Sequence, residues 1–139
     1  MPDASASSHP MPPSVPDGLV LDLARAKILE GKESLAREWM QMLNTRYDEC
    51  VQTLAVERSA FEAWFLHTEP DGVTWIYHLG LTGRDGAPLD PDSQLDADHL
   101  AYAKQVKERG WEQLEPMFLL APSHVLHAMT QWGRTGLVG

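Results

Sequence analysis

The sequence predicts one α+β domain whose elements follow the order β-α-β-β-α-β. Three observations predict this order. Apolar residues alternate in a first strand that precedes a long helical stripe, two aromatic-rich strands flank a Pro-Gly turn, and a second capped helix leads into a last apolar segment. The length of 139 residues suits one domain, and a hydrophobic fraction of 43% is enough for a buried core.

The first half of the domain is predicted to be a strand followed by a helix. In LVLDLARAKI (residues 19–28) leucine stands at alternating positions, which is the period of a strand. A helix is predicted from Glu33 to about Arg58, where apolar residues recur at three- and four-residue steps. That stripe consists of Leu35, Trp39, Met42, Leu43, Cys50 and Leu54.

The second half is predicted to be a hairpin, a helix and a strand. Strands are expected over residues 59–67 and 73–81, joined by the turn Glu69-Pro70-Asp71-Gly72. A helix is expected to begin near Asp96 as N-cap and to end before Gly110. The last strand is predicted over Leu114 to Ala121, because LEPMFLLA is short and apolar.

The chain divides into three predicted parts. Residues 1–18 are rich in proline and serine, and we expect a flexible, disordered tail. Residues 19–121 form the domain, and residues 122–139 form a C-terminal extension in which SHVLHAMTQW has the pattern of a short amphipathic helix. The element order predicts a ferredoxin-like domain with both helices on one sheet face.

The other face of that sheet is also apolar and has to be covered. We expect a homodimer in which two sheets meet, as in the dimeric α/β-barrel type. A net charge of −9 makes nucleic acid and anionic membranes unlikely partners. Cys50 is the only cysteine, and the N-terminus has no secretory signal pattern, so the expected location is the cytoplasm.

Several segments resemble one family of domains. ARAKILEGKESLAREWMQMLNTRYDECVQTL, SAFEAWFL and LDADHLAYAKQV are similar to the uncharacterised family DUF6176 over roughly residues 25–121. Glu62 and the D-x-x-H pattern of Asp96 and His99 are its most family-like local features. The resemblance implies a dimeric α/β-barrel fold and no established reaction, and that fold carries many unrelated activities.

Titratable side chains within apolar elements are the candidates for catalysis. Glu62 lies among aromatic residues, so burial is expected to raise its pKa towards neutrality, unless it is solvated on an open sheet face. If Phe61 and Ala63 face the helices, Glu62 faces away from them. His78 lies on the neighbouring strand, and the sequence leaves open whether it shares a face with Glu62.

His99 is the expected general base. It occupies the third position of the second predicted helix, and its neighbours one and two turns later are apolar, so an inward, neutral imidazole is expected. The alternative is a packed histidine with one hydrogen-bond partner. Tyr102 is the expected hydrogen-bond donor to a substrate.

Aromatic and histidine side chains are the candidates for substrate binding, although core packing is the alternative for the aromatic ones. They are Trp39, Trp64, Trp75, Tyr77 and His67. A metal site is a third possibility, for which Glu62, His67, His78 and His99 could supply oxygen and nitrogen ligands. The histidines lack tight spacing within any structured element, so no metal is assigned. The absence of a Gly-rich phosphate loop predicts no nucleotide cofactor.

These residues predict a small cofactor-independent enzyme. Its reaction would be cyclisation, isomerisation, dehydration or oxygenation of an apolar or aromatic organic molecule through acid/base chemistry. The alternative is a non-catalytic module of the same fold that binds a small ligand or a partner.

Overall fold

A computed structural model of the chain describes residues 9–138. Its elements are β1 (Leu19–Lys27), α1 (Glu33–Thr45), α2 (Tyr47–Glu57), β2 (Ser59–Thr68), β3 (Thr74–Gly83), α3 (Gln94–Val106), β4 (Glu112–Gln113) and α4 (Ser123–Thr135). The prediction of a mixed α+β domain is confirmed. Within the described residues, no helix has the length and apolar character needed to cross a membrane.

The strands form one antiparallel sheet in the order β2-β3-β1-β4. β3 is central and pairs along its whole length with both β1 and β2, whereas β4 contributes a pairing of only two residues. β2 therefore forms one edge of the sheet and β4 the other.

The long predicted helix is two helices that meet at Arg46. The backbone of Arg46 (φ −101°, ψ 33°) leaves the helical range without a proline or glycine. Its guanidinium donates to Asp98 Oδ2 at 2.6 Å and to Glu49 Oε2 at 2.7 Å. Arg46 thus ties the junction of α1 and α2 to α3, a tertiary contact that hydrophobic periodicity does not reveal.

The predicted N-cap of the second helix is wrong by three residues. Ser93 is the N-cap of α3, and its Oγ accepts a hydrogen bond from the backbone N–H of Asp96. Asp96 is 2% exposed and accepts from the N–H of Asp90 at 2.7 Å, so it fixes the preceding loop. His99 therefore lies in the second turn of α3, beyond the strongest field of the helix N-terminus.

The predicted strand at residues 114–121 is also wrong. Pairing ends at Gln113, apart from a bond of 2.8 Å from the N–H of Leu114 to the carbonyl of Leu23. Pro116 then has no N–H to donate to a ladder. The following segment is extended, and it leaves Met117 and Phe118 73% and 67% exposed.

The two sheet faces carry separate cores. The helix face, which packs against α1 and α3, holds the larger core. Its buried members are Ala26, Ile28, Ala36, Trp39, Ile76, Ala103 and Val106. Trp64 and Leu66 of β2 pack against this core, which places Glu62 on the same face by the period of two. The arrangement in which Phe61 and Ala63 would face the helices and Glu62 would face away from them is therefore not the one observed.

The outer face, opposite the helix face, is covered at one end by α4. Gly133 of α4 approaches Gly83 and Leu19 so closely that a Cβ on Gly133 would overlap the Leu19 side chain. Leu81 and Leu19 are buried there, with Met129 of α4 packed against them. One end of the face that was expected to meet a second subunit is thus covered within the same chain.

Part of the expected flexible tail also packs on this face. Val15 is 5% exposed, and Ser14 Oγ accepts a hydrogen bond of 2.9 Å from the N–H of Leu119. Met11 packs against the core of the outer face as well. Residues 11–15 therefore contact the outer face, with Val15 buried and Met11 partly buried, while residues 1–8 lie outside the described part of the chain.

Candidate functional site

The candidate site is a row of polar residues on the helix face of the sheet. Strand register places Asp22, Gly80 and Glu62 side by side on β1, β3 and β2. His78 lies two residues before Gly80 on the same face. Its imidazole extends over Gly80, since a Cβ there would lie 3.3 Å from His78 Cε1. Because Gly80 has no side chain, the His78 ring has room between the carboxyl groups of Asp22 and Glu62.

Glu62 and His78 form a buried pair. His78 Nε2 lies 3.3 Å from Glu62 Oε1, and the two side chains are 3% and 14% exposed. Trp64 Nε1 donates to the same oxygen at 3.0 Å. Burial opposes ionisation, but favourable interactions, led by the hydrogen bond with His78 and including a smaller contribution from Trp64, outweigh it and hold the pKa of Glu62 below its usual value. The expected rise in this pKa is wrong, and Glu62 is a carboxylate at neutral pH.

Asp22 is a second acidic group beside His78. Its pKa is raised by burial, and the nearby His78 opposes that rise only in part. Oδ1 of Asp22 is enclosed by protein and finds no hydrogen-bond partner within residues 9–138. The environments of Asp22 and Glu62 therefore drive their pKa values in opposite directions, a pattern that recurs in acid/base sites. Asp22 was not among the predicted site residues, although it is the only acidic residue of β1.

His99 is enclosed by the core of the helix face. It is 0% exposed, as is Trp39, whose Nε1 donates to His99 Nδ1 at 3.0 Å. The nitrogen that would take up a proton is therefore already an acceptor. This geometry matches the alternative of a packed histidine, so we assign His99 no part in proton transfer. Tyr102 packs against the same core as a partly buried side chain.

Trp64 contacts both the Glu62–His78 pair and a cluster of aromatic side chains. Its ring centroid lies 4.5 Å from that of His78, 5.3 Å from Trp39 and 5.7 Å from Trp111. Trp111 lies in the segment between α3 and β4, and Lys107 Nζ lies 4.5 Å from its ring centroid. Sequence reasoning missed Trp111, although its place after the helix-ending Gly110 was a usable signal. The cluster shields the pair from solvent on the side of the core.

On its other side, Glu62 borders a cleft of about 500 Å³ between α1, α2 and β2. The cleft lining is mostly apolar and includes Met40, Leu43, Tyr47, Val51, Leu54 and Phe61. Among the described residues of this lining, Glu62 is the one that carries a charge at neutral pH. Cys50 also borders the cleft, and burial followed by the Glu62 charge raises the pKa of its thiol.

The remaining predicted binding residues lie on the outer face. Trp75 and His67 pair in register there, as do Tyr77 and Phe65. Arg25 stacks on Trp75 with its Cζ 3.8 Å from the ring centroid. Trp75, Tyr77 and His67 are therefore separated from Glu62 by the sheet, whereas Trp64 borders the cleft and Trp39 supports it from the core.

No cluster of three or more metal-binding side chains occurs among the residues that the structure describes. Glu62 and His78 lie together, whereas His67 lies on the opposite face of the sheet. The described part of the chain thus holds a carboxyl group and an imidazole in contact, and the carboxyl residue borders a mostly apolar cleft.

Among the comparisons with known proteins, a family model of the sequence gives the match that assigns the chain to a family. No curated protein and no solved structure shows a significant match to it. A family model, described as "Family of unknown function (DUF6176)", matches residues 19–127, a range that includes β1 to β4, the Glu62–His78 pair and the start of α4. The chain therefore belongs to the DUF6176 family.

Proposed function

We propose that this protein is a small, cofactor-independent enzyme that performs acid/base chemistry on an apolar or aromatic organic molecule. The observation that carries the proposal is the position of Glu62. A carboxylate borders a mostly apolar cleft of about 500 Å³ and is held there by His78 and Trp64. Clefts of this size and polarity are typical of small-molecule sites.

The chemistry would begin with Glu62 as a base. Its low pKa keeps it ionised before a substrate arrives. An apolar substrate that fills the cleft would displace water from the carboxylate, and this desolvation strengthens Glu62 as a base. The carboxylate would take a proton from carbon next to a substrate carbonyl and return it to another substrate atom, which is an isomerisation. His78 would hold the Glu62 side chain in position, and its contact with the carboxylate would favour the ionised form.

A non-catalytic binding module is the second candidate. The observation that favours it is the same low pKa, because a weakly basic carboxylate is better suited to accepting hydrogen bonds than to removing protons. In that case Glu62 would bind a donor or cationic group of a ligand, and no bond would change.

The ferredoxin-like type of fold and the homodimer are part of the same proposal. The strand order β2-β3-β1-β4 supports a ferredoxin-like domain. A homodimer would cover the part of the outer face that α4 leaves open, where Phe65 is 54% exposed. Light scattering at micromolar concentration should then give twice the chain mass of 15.5 kDa. A cytoplasmic location is also part of this proposal.

Two measurements on Glu62→Gln test the enzyme against the binding module. The first is binding of N-phenyl-1-naphthylamine, a neutral aromatic dye with one N–H donor, which should fluoresce in the cleft. The second is uptake of deuterium from D2O by enolisable aromatic ketones such as 1-indanone and 2-tetralone, followed by proton NMR. An enzyme should accelerate exchange, and Glu62→Gln should lose about 100-fold or more of that rate.

Glu112→Gln is the matched control, since this carboxyl group is exposed and lies at the opposite edge of the sheet. It should leave both the dye signal and the exchange rate unchanged. Dye binding with no exchange of any ketone in the panel would refute the enzyme and leave the binding module. Equal exchange by wild type and Glu62→Gln would remove Glu62 from the chemistry.

A further inference from the structure

A second cleft of about 580 Å³ lies on the other side of β2, between the start of this strand and α4. Its lining is again mostly apolar and includes Ala60, Met129, Trp132, Leu137 and Val138. Among the described residues that line it there is no Asp, Glu, Lys or Arg. The second cleft therefore suits an uncharged, apolar group.

The two clefts share Leu54 of α2 and Ala60 of β2 in their linings. They thus adjoin one another around the edge of the sheet. Large apolar side chains at both clefts are exposed to solvent: Val51 is 45% exposed at the first, and Leu137 is 67% exposed at the second. A molecule that spans both clefts would cover this apolar surface.

We infer that the ligand of this site is an elongated amphiphile with a cationic head at Glu62 and an unbranched apolar tail that crosses Ala60 into the second cleft. This inference rests on the second candidate function, the binding module, and names the class of ligand that the Glu62 cleft takes. The carboxylate of Glu62 selects a cationic head by charge complementarity, and the second cleft offers the tail only apolar and neutral polar contacts.

A series of n-alkylammonium ions of increasing length is the direct probe. Each methylene that enters an apolar site tightens binding by about fourfold. In the wild type, affinity measured by calorimetry below micelle formation should rise through the short chains, which fill the first cleft. It should continue to rise through longer chains, which enter the second cleft.

Ala128→Trp tests the second cleft, because Ala128 is exposed on α4 and borders that cleft. The added indole should leave the affinity for short chains unchanged and stop the gain at a shorter chain length than in the wild type. His127→Trp narrows the same cleft from a second exposed position, so the conclusion does not depend on the folding of one variant. Far-UV circular dichroism verifies the fold of both.

The n-alkanols of matching length test the head group. Wild type should bind each ammonium ion about tenfold or more tightly than the alcohol, and Glu62→Gln should abolish that difference. Identical chain-length curves for wild type and the two blocking variants would overturn the tail assignment, while the Glu62-dependent binding of short chains would leave the proposed site intact. Binding of no ammonium ion in a Glu62-dependent way would overturn this inference, whereas the enzyme proposal would still be decided separately by the dye and by deuterium exchange of the ketones.

Discussion

Trp39→Phe removes one hydrogen bond from the centre of the helix-face core. Trp39 and His99 are both 0% exposed, and the bond of 3.0 Å between them joins α1 to α3. Phenylalanine retains an aromatic ring at this position but has no N–H. His99 Nδ1 would then remain in the core without its donor.

The expected loss of stability has two parts. A buried acceptor that loses its donor costs about 1–3 kcal/mol. The smaller ring leaves a cavity of roughly 35 Å³, which at about 24 cal/mol per Å³ adds about 0.8 kcal/mol. Trp39→Phe should therefore lower the free energy of unfolding by about 2–4 kcal/mol.

Urea unfolding followed by far-UV circular dichroism measures this loss, with Trp75→Phe as the matched control. Trp75 is also buried, at 9% exposure, but its Nε1 finds no hydrogen-bond partner among residues 9–138. The control changes the same atoms and loses no hydrogen bond, so it should cost about 1–3 kcal/mol less than Trp39→Phe.

Equal losses for the two variants would refute the role of the Trp39–His99 bond. A double-mutant cycle with His99→Leu provides a second criterion. Because Leu has no acceptor to leave unsatisfied, Trp39→Phe should cost less in the His99→Leu background than in the wild type. Additive losses would show that the two side chains do not interact, and would reopen a catalytic role for His99.

Three other predictions follow from packing and charge. Gly133→Ala should lower the free energy of unfolding by about 1–3 kcal/mol in urea, because its Cβ overlaps Leu19, and an unchanged midpoint would mean that α4 does not dock there. Deletion of residues 1–17 should lower the free energy of unfolding by about 2–4 kcal/mol, because the contacts of buried Val15 and of Met11 are lost. An unchanged urea midpoint would instead support the prediction of a flexible tail. Since folding raises the pKa of Asp22, stability is fully present below the ordinary aspartate pKa and is lost as pH rises through the folded value. Asp22→Asn should thus raise the urea midpoint at pH 7 and leave it unchanged near pH 3, and equal effects at both values would contradict the burial of this carboxyl group.

The alternation of apolar residues was sufficient to predict β1, β2 and β3, because each of these strands is long and packs on at least one side. The same signal could not reveal which face of β2 meets the helices. Phe61 and Phe65 stand on one side of that strand, and Trp64 and Leu66 stand on the other, so both faces are apolar. Only the packing of α1 and α3 determines that Glu62 lies inside.

The prediction of Glu62 and His78 as candidates depended on titratable residues within apolar strands, and register places both on one face. Their electrostatics could not be predicted from the same pattern. Burial acts on both Asp22 and Glu62, yet only Glu62 receives a hydrogen bond from Trp64 and a close contact from His78. The sign of a pKa shift depends on such partners, which are set by register and side-chain geometry.

Stability alone is a weak reason for this chain to hold a carboxylate against His78. A buried carboxylate paired with an imidazole gains little over apolar residues of the same size, because the interaction must offset the loss of hydration of both groups. The surroundings of the pair are already suited to such residues, with Trp64 on one side and an apolar cleft on the other. Gly80 adds a further requirement, since the imidazole occupies space that a side chain on this residue would need. A sheet arranged in this way holds the Glu62 carboxylate at the wall of a cleft, and this is the arrangement on which the proposed function rests.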